Sequence, residues 1–233
     1  MQFIYKGEIY KYIYDDVRGK LVFDIGSNIG QVCSKLVGVN CKVVAVEPQK
    51  NLTTGKYYKG VHAIKHMCVS NKIGETPFYL CEHHSTSSCR KDWKIHQPNK
   101  KWTEITVPTT TLDALIEEFG KPKYIKIDVE GYEDKVLEGL SHKIDLISFE
   151  FSRWFEDCTI RCLDILEEKF GFKKLMPFVK KKFTVKVDGK KLRKQYAYSG
   201  EYYTKKEFIK DLDKFVELTA IDNRNVGDIL VIS

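Results

Sequence analysis

Ten residues, Leu21 to Gly30 (LVFDIGSNIG), restrict what this chain can fold into more than any other stretch. The run from Leu21 to Ile25 reads as a short buried strand. Gly26 then lets the chain turn sharply, and Gly30 lets the next segment pack close against that strand. A strand, a glycine turn and a helix start open the nucleotide site of doubly wound α/β domains. The turn departs from the dinucleotide fingerprint, because Asn28 and Gln31 stand where G-x-G-x-x-G has its second and third glycines. The second glycine lets backbone touch a pyrophosphate, which a ligand without phosphates does not need. S-adenosylmethionine (SAM) is such a ligand. Glu47 lies 21 residues after Gly26 and ends a second apolar run, Val43 to Val46. An acid there can accept hydrogen bonds from both ribose hydroxyls. Turn and acid together favour SAM over NAD; the plainer alternative is a glycine turn closing a ligand-free α/β unit.

The rest of the chain continues the alternation. Residues 1–20 read as a hairpin or loose cover, with Phe3-Ile4-Tyr5 and Ile9-Tyr10 flanking Lys6-Gly7-Glu8. A helix is expected from about Gln31 to Val37, a strand over Lys42 to Val46, and a helix start at Pro48. Val61 to Val69 reads as a third strand and Thr76 to Leu80 as a short returning one. Regularity is lost from Glu82 to Glu104, a loop insertion of the length that often covers a site. A helix over Leu112 to Phe119 has Thr111 as N-cap, Asp113 in its first turn and Gly120 at its end. Tyr124 to Asp128 is the next buried strand, its alternation placing Lys126, Asp128 and a candidate third member, Glu130, on one face with Tyr124 below them. A helix near Tyr132 to Leu140 follows, then a strand from Asp145 to Phe149 ending in Glu150. Asp157 is read as the cap of a helix stopped by Gly171. Phe183 to Val187, Asp188-Gly189 and Lys190 onward give a hairpin, Glu207 to Leu218 an amphipathic helix, and Asp228 to Ile232 a last strand. These units predict an α/β fold with a mostly parallel sheet and an antiparallel last strand. The expected organisation is one domain over 21–233, with a loop insertion at 82–104 and a basic hairpin insertion at about 176–206.

A length of 233 residues suits one such domain, and no run approaches the roughly 20 apolar residues of a membrane span. The first residues alternate charge and aromatics, unlike a signal peptide, so a cytoplasmic location is expected. Seven cysteines without a regular framework suit free thiols in a reducing compartment. Cys81-Glu82-His83-His84 followed by Cys89 offers four potential zinc ligands, but the spacing matches no standard finger, and Cys81 ends an apolar strand. The net charge of +7 is concentrated, since Lys173 to Lys206 holds twelve Lys or Arg against Asp188 and Glu201. That segment reads as a solvated face, as an attractor of an anionic acceptor, or as a nucleic-acid contact in which Tyr196, Tyr198, Tyr202 and Tyr203 could stack on bases.

Five stretches carry a family resemblance: VFDIGSNIG (Val22 to Gly30), AVEP (Ala45 to Pro48), CVSNKIGETPFYL (Cys68 to Leu80), VPTTTLDAL (Val107 to Leu115) and IKIDVEGYEDKVLEGL (Ile125 to Leu140). In this order and spacing they resemble the FkbM-type methyltransferases, over roughly Lys20 to Phe151. The resemblance implies a SAM-dependent O-methyltransferase with the seven-stranded, Rossmann-like class I fold. Ser27 stands where members commonly have Ala, and the tail from Lys173 to Lys206 has no counterpart in the family pattern.

Ligands in open α/β sheets sit beyond the carboxyl ends of the strands; Asp24, Glu47, Ser70, Asp128 and Glu150 all lie near such ends and are expected to converge on one crevice. The methionine part of SAM is assigned to Gly26, Ser27, Asn28 and Gly30, with Asp24 ordering the turn. Glu47 is assigned to the ribose, and Val69 and Ser70 to the border of the adenine. Asp128 and Glu130 are the candidates nearest the transferred methyl. Either could act as base, or both could hold a divalent cation, although no metal is assigned. Glu130 could instead only favour the N-terminus of the following helix. Glu150, His83 and His84 are further candidates at the acceptor. The leading reading is methyl transfer to a hydroxyl of a sugar, glycan or small metabolite. One alternative is an RNA ribose 2′-O-methyltransferase using Lys126, Asp128 and Glu150; the other is an inactive SAM-binding or interaction module.

Overall fold

The computed structural model describes residues 13–172, 174–187, 190–198, 202–213, 215 and 226–232. In chain order its strands are β1 (Leu21–Ile25), β2 (Lys42–Val46), β3 (Ala63–Lys65), β4 (Cys68–Val69), β5 (Gly74–Cys81) and β6 (Trp102–Thr110). They continue as β7 (Tyr124–Ile127), β8 (Leu146–Ser152), β9 (Lys174–Val187), β10 (Lys190–Tyr198) and β11 (Val226–Ile232). The helices are α1 (Tyr14–Val17), α2 (Gln31–Val37), α3 (Trp93–His96), α4 (Leu112–Phe119), α5 (Glu133–Glu138), α6 (Glu156–Phe170) and α7 (Lys205–Lys210).

The main sheet has the order β10-β9-β11-β8-β7-β1-β2-β3. Strands β3, β2, β1, β7 and β8 run parallel, and β11 lies antiparallel between β8 and β9. These seven strands are the expected α/β sheet, with the chain's last strand as the antiparallel one. The eighth, β10, is the return limb of β9.

Side-chain alternation divides the core into two layers. Val22, Val43, Ala45 and Tyr124 pack with Leu36 of α2 and Val17 of α1. Phe23, Ile25, Val44 and Ile125 face the opposite way, toward Leu115 of α4, Val136 of α5 and Leu163 of α6. Strand β8 is buried at all seven positions, as befits a strand covered on both faces. Helix α4 is capped by Thr111, whose hydroxyl accepts from Ala114 N, and α6 ends at Gly171 in the left-handed conformation.

Several elements differ from their sequence expectation. The run Val61 to Val69 splits into β3 in the main sheet and β4 in a second sheet of order β4-β6-β5. Strand β6 begins inside the stretch expected to be loop, pairing from Cys81↔Trp102 to Gly74↔Thr109. Its Thr103-Glu104 stretch looks polar because those side chains face solvent, and cross-strand pairing with β5 supplies the stability. Pro48 leads into 3₁₀ turns at Lys50–Leu52 and Lys56–Tyr58 instead of an α-helix. Glu150 lies within β8 and does not end it. Asp157 occupies the first turn of α6, whose N-cap is Phe155. Helix α7 starts two residues early because Thr204 and Glu207 form a reciprocal capping box; residues 214 and 216–218 of its expected span lie outside the described residues. So do the expected Phe3–Tyr10 hairpin and the Asp188-Gly189 turn, although Val187 and Lys190 on either side of that turn are paired. No helix among the described residues is long and apolar enough to cross a membrane.

Candidate active site

The carboxyl ends of β1, β2, β7 and β8 meet at one rim, and the site is built there. Val46 O accepts from Gly26 N at 2.9 Å and from Ser27 N at 3.1 Å, which ties the glycine turn to β2. Gly26 has φ +75°, and a Cβ on it would lie 1.9 Å from Asp128 O, so only glycine fits there. Asn28 is also left-handed at φ 49°, a conformation Asn tolerates better than most residues. Its N–H donates to Glu47 Oε2 at 3.0 Å, while Gln49 N donates to Glu47 Oε1 at 2.9 Å. Glu47 therefore clamps the glycine turn to the segment after β2. Burial raises its carboxyl above the usual range, and the two N–H donors offset part of that rise.

A residue that no motif announces completes the turn. Tyr58 donates its hydroxyl to Asn28 O at 2.5 Å and lies 2.8 Å from Ser27 Oγ. Ser27 thus has hydrogen-bond partners that an alanine would lack. Gly30 faces the same ring, where an added Cβ would come within 2.7 Å. Its role is packing.

Lys126 organises the second half of the site. Its Nζ lies 3.0 Å from Asp128 Oδ2 and 3.6 Å from Asp24 Oδ1. Asp24 is fully buried, and the Cys33 thiol 3.0 Å from its Oδ2 is pushed up by burial and by that carboxylate. Burial alone would pull the Lys126 ammonium down; Asp128 and Asp24 more than reverse this and hold it well above its usual value. Lys126 is therefore a fixed cation that orients Asp128. Beneath it the Tyr124 hydroxyl lies 2.6 Å from Ser148 Oγ.

The turn carrying the acids is held from several sides. Glu130 is left-handed at φ 60° and precedes α5 by three residues, so it is not at the helix N-terminus. Glu133 and Asp134 take that place. Glu133 Oε1 accepts from Val129 N at 3.0 Å and Gly131 N at 3.2 Å. From the 82–101 segment, Ser88 Oγ donates to Val129 O at 3.1 Å and to Glu130 O at 2.9 Å, and Trp93 Nε1 also donates to Glu130 O. Asp128, Glu130 and Glu150 each present an oxygen within 4.8 Å of the others, the one such group of potential metal ligands among the described residues.

These parts share one cavity of about 600 Å³. Gly26, Ser27, Asn28, Glu47 and Val69 line it, and so do Lys126, Asp128, Glu130 and Glu150. Three expected site residues do not. Asp24 lies beneath Lys126, Gly30 packs on Tyr58, and Ser70 is turned into the small sheet, its N–H donating to Thr110 O at 2.8 Å. The 82–101 segment closes the cavity with His84, Cys89 and Trp93, and Trp154 adds a second indole. His84 Nδ1 is buried without a hydrogen-bond partner among the described residues, whereas His83 Nδ1 is 2.8 Å from Ser85 Oγ. Cys81 is buried in the small sheet and Cys89 turns to Cys68, so the sulfurs and imidazoles of this stretch do not converge. Of the tail tyrosines, Tyr203 is buried edge-on against Phe215 and is not available for base stacking. Tyr202 is exposed; the side chains of Tyr196 and Tyr198 lie outside the described residues.

Sequence reasoning missed Tyr58, Ser88, Trp93, Trp154 and the anchoring role of Glu133. Only Glu133 carried a signal, as the last acid of the IDVEGYE stretch.

The order of the sheet, a glycine turn without the pyrophosphate glycine and an acid after β2 define the class of SAM-dependent methyltransferases. The family model described as the methyltransferase FkbM domain matches residues 24–181, more than half of the chain. The chain belongs to that family. A search of curated proteins finds no match. Among solved structures, a precorrin-6y C5,15-methyltransferase from Geobacter metallireducens is similar at 10% identity and a TM-score of 0.50, over 99% of this chain and 91% of that one. A SAM-dependent O-methyltransferase from Thermotoga maritima is 16% identical with a TM-score of 0.43, over 85% of this chain and 66% of that one. The first of these likenesses concerns the fold alone.

Proposed function

We propose that the enzyme transfers the methyl group of SAM to a hydroxyl of a sugar, glycan or small metabolite. The observation that carries the reading is the cavity itself. It brings the glycine turn and Glu47 into one space with Asp128 and Glu130, so a nucleoside held by the former presents its methyl near the latter. SAM supplies a methyl carbon already bonded to a good leaving group, the sulfonium. Positioning of the acceptor then accounts for much of the acceleration, and a carboxylate accepts the hydroxyl proton. The acceptor oxygen forms the new C–O bond as the C–S bond breaks, leaving S-adenosylhomocysteine. Lys126 Nζ, 3.0 Å from Asp128 Oδ2, aims that carboxylate; being a fixed cation, it is suited to orienting and unsuited to taking up that proton. The indoles of Trp93 and Trp154, with ring centroids 5.2 Å apart, offer an apolar wall of the kind a sugar ring can pack against.

Incubation with methyl-labelled SAM and separated glycan, metabolite and RNA fractions tests the reading. Label is expected in an ether of the glycan or metabolite fraction and should disappear with Asp128→Asn, while SAM binding persists. Label confined to RNA, or full turnover by the Asn variant, would overturn it.

A further inference from the structure

Two cysteines face each other across the wall of the cofactor cavity. Cys68 sits on β4 and Cys89 on the 82–101 segment, with their sulfurs 3.0 Å apart and both residues lining the cavity. A disulfide is about 2 Å long, so bonding needs the sulfurs to close by only about 1 Å. Cys68 is buried whereas Cys89 is partly exposed, which gives a small oxidant access to one sulfur and leaves the other in place to resolve it. Cys158 and Cys162 are also neighbours, but both are buried on α6 within the core and neither lines the cavity. Cys33 turns to Asp24, Cys41 to Val17 O, and Cys81 is buried in the small sheet.

The consequence follows from what Cys89 is attached to. The 82–101 segment holds the acid turn through Ser88 and Trp93 and reaches the glycine turn where His84 O lies 3.5 Å from Asn28 Nδ2. Apart from these polar and ring contacts, Cys89 packs against the small apolar cluster of Cys68, Phe78 and Val107. A covalent bond at this point would fix the covering segment to the sheet beneath it.

We propose that Cys68 and Cys89 are an oxidisable dithiol whose disulfide locks the 82–101 segment over the cofactor cavity. With a peroxide as oxidant, Cys89 sulfur attacks one peroxide oxygen, the O–O bond breaks, and a sulfenic acid and one water form. Cys68 sulfur then displaces the sulfenic hydroxyl as a second water. Both thiol hydrogens leave in the two waters, the sulfurs are oxidised and the peroxide is reduced. Disulfide formation does not depend on the proposed methyl transfer; the effect on cofactor exchange rests on the SAM reading.

The test treats the full chain with hydrogen peroxide, blocks remaining thiols and maps unreduced peptides by mass spectrometry. The expected product is one cross-link joining the peptides of Cys68 and Cys89, with a mass loss of two hydrogens, reversed by dithiothreitol and abolished by Cys89→Ser. Absence of that cross-link, or a dominant link through other cysteines, would overturn the dithiol. Release of S-adenosylhomocysteine, followed by stopped flow, should slow several-fold in the oxidised protein and not in peroxide-treated Cys89→Ser. Equal release rates for oxidised and reduced protein would overturn the lock. Failure of both forms to bind would count against the SAM reading, with the peptide map still deciding the dithiol.

Discussion

Glu133 gives the sharpest quantitative expectation. It is 2% exposed, and burial lifts its carboxyl from 4.5 to about 7, despite the backbone N–H groups that favour the ionised form. An acid whose pKa is higher in the folded state than in the unfolded one stabilises the fold below the unfolded value. That contribution is lost as pH rises through the folded value. The window therefore runs from about pH 4.5 to about pH 7. At about 1.4 kcal/mol per unit, the full loss is on the order of 3 kcal/mol. Glu133→Gln is the informative change, because both backbone donors go to a single oxygen, Oε1. A glutamine oxygen can keep both bonds while carrying no charge at any pH. Urea unfolding of both proteins at pH 5 and pH 8 isolates the effect, since all other titrating groups cancel in the difference. The variant should gain roughly 2.5 kcal/mol on the wild type between those two pH values. Parallel pH dependences for the two proteins would refute the reasoning. Glu133→Ala is the contrasting case: it strands Val129 N and Gly131 N, and a buried unsatisfied donor costs about 1–3 kcal/mol.

On the proposed ribose role of Glu47, Glu47→Ala should weaken SAM binding by on the order of 2 kcal/mol, and it also removes the clamp on Asn28 N and Gln49 N; isothermal titration giving unchanged affinity would contradict the ribose assignment. Gly26→Ala drives a Cβ to 1.9 Å from Asp128 O and adds left-handed strain, so a stability loss of about 3 kcal/mol or more is expected by urea titration; a variant as stable as wild type would show that the turn can move. Dialysis against EDTA should leave turnover unchanged, because Lys126 already supplies countercharge to Asp128; loss of activity restored by magnesium would instead assign a metal to Asp128, Glu130 and Glu150.

The sheet was legible because its strands are short apolar runs closed by turn residues, and the helices because caps such as Thr111 and stops such as Gly171 act locally. What escaped depends on contacts distant in sequence. Tyr58 reaches back 30 residues to Asn28, and nothing in KYYKG signals that. Strand β6 is carried by its pairing with β5, which makes Thr103 and Glu104 acceptable although both side chains, on opposite faces of the strand, are exposed. Trp93 falls in the stretch expected to be loop and Trp154 outside every expected element, and only the close approach of the two segments turns them into a wall. Ser70 shows the opposite failure. It follows a predicted strand at the expected rim, but its N–H is drawn to Thr110 O in the small sheet and the residue does not line the cavity, although Cys68 and Val69 before it do.

The two halves of the site are joined by strand register. Strands β1 and β7 are parallel neighbours with Asp24 opposite Lys126. Because alternate side chains share a face, Val22 and Tyr124 lie on the same side as this pair, and Phe23 and Ile125 on the other. A slip of β7 by one residue would send the Lys126 ammonium into the layer of Phe23 and Ile125 and leave Asp24 buried without countercharge. The ion pair thus penalises the wrong register far more than it stabilises the right one. In the right register, Asp128 follows one step beyond the end of β7 at the height of the glycine turn, close enough that its carbonyl occupies the space a Gly26 side chain would need. The glycine and the acid, about a hundred residues apart in sequence, are fixed to each other by the same pairing that hides Asp24.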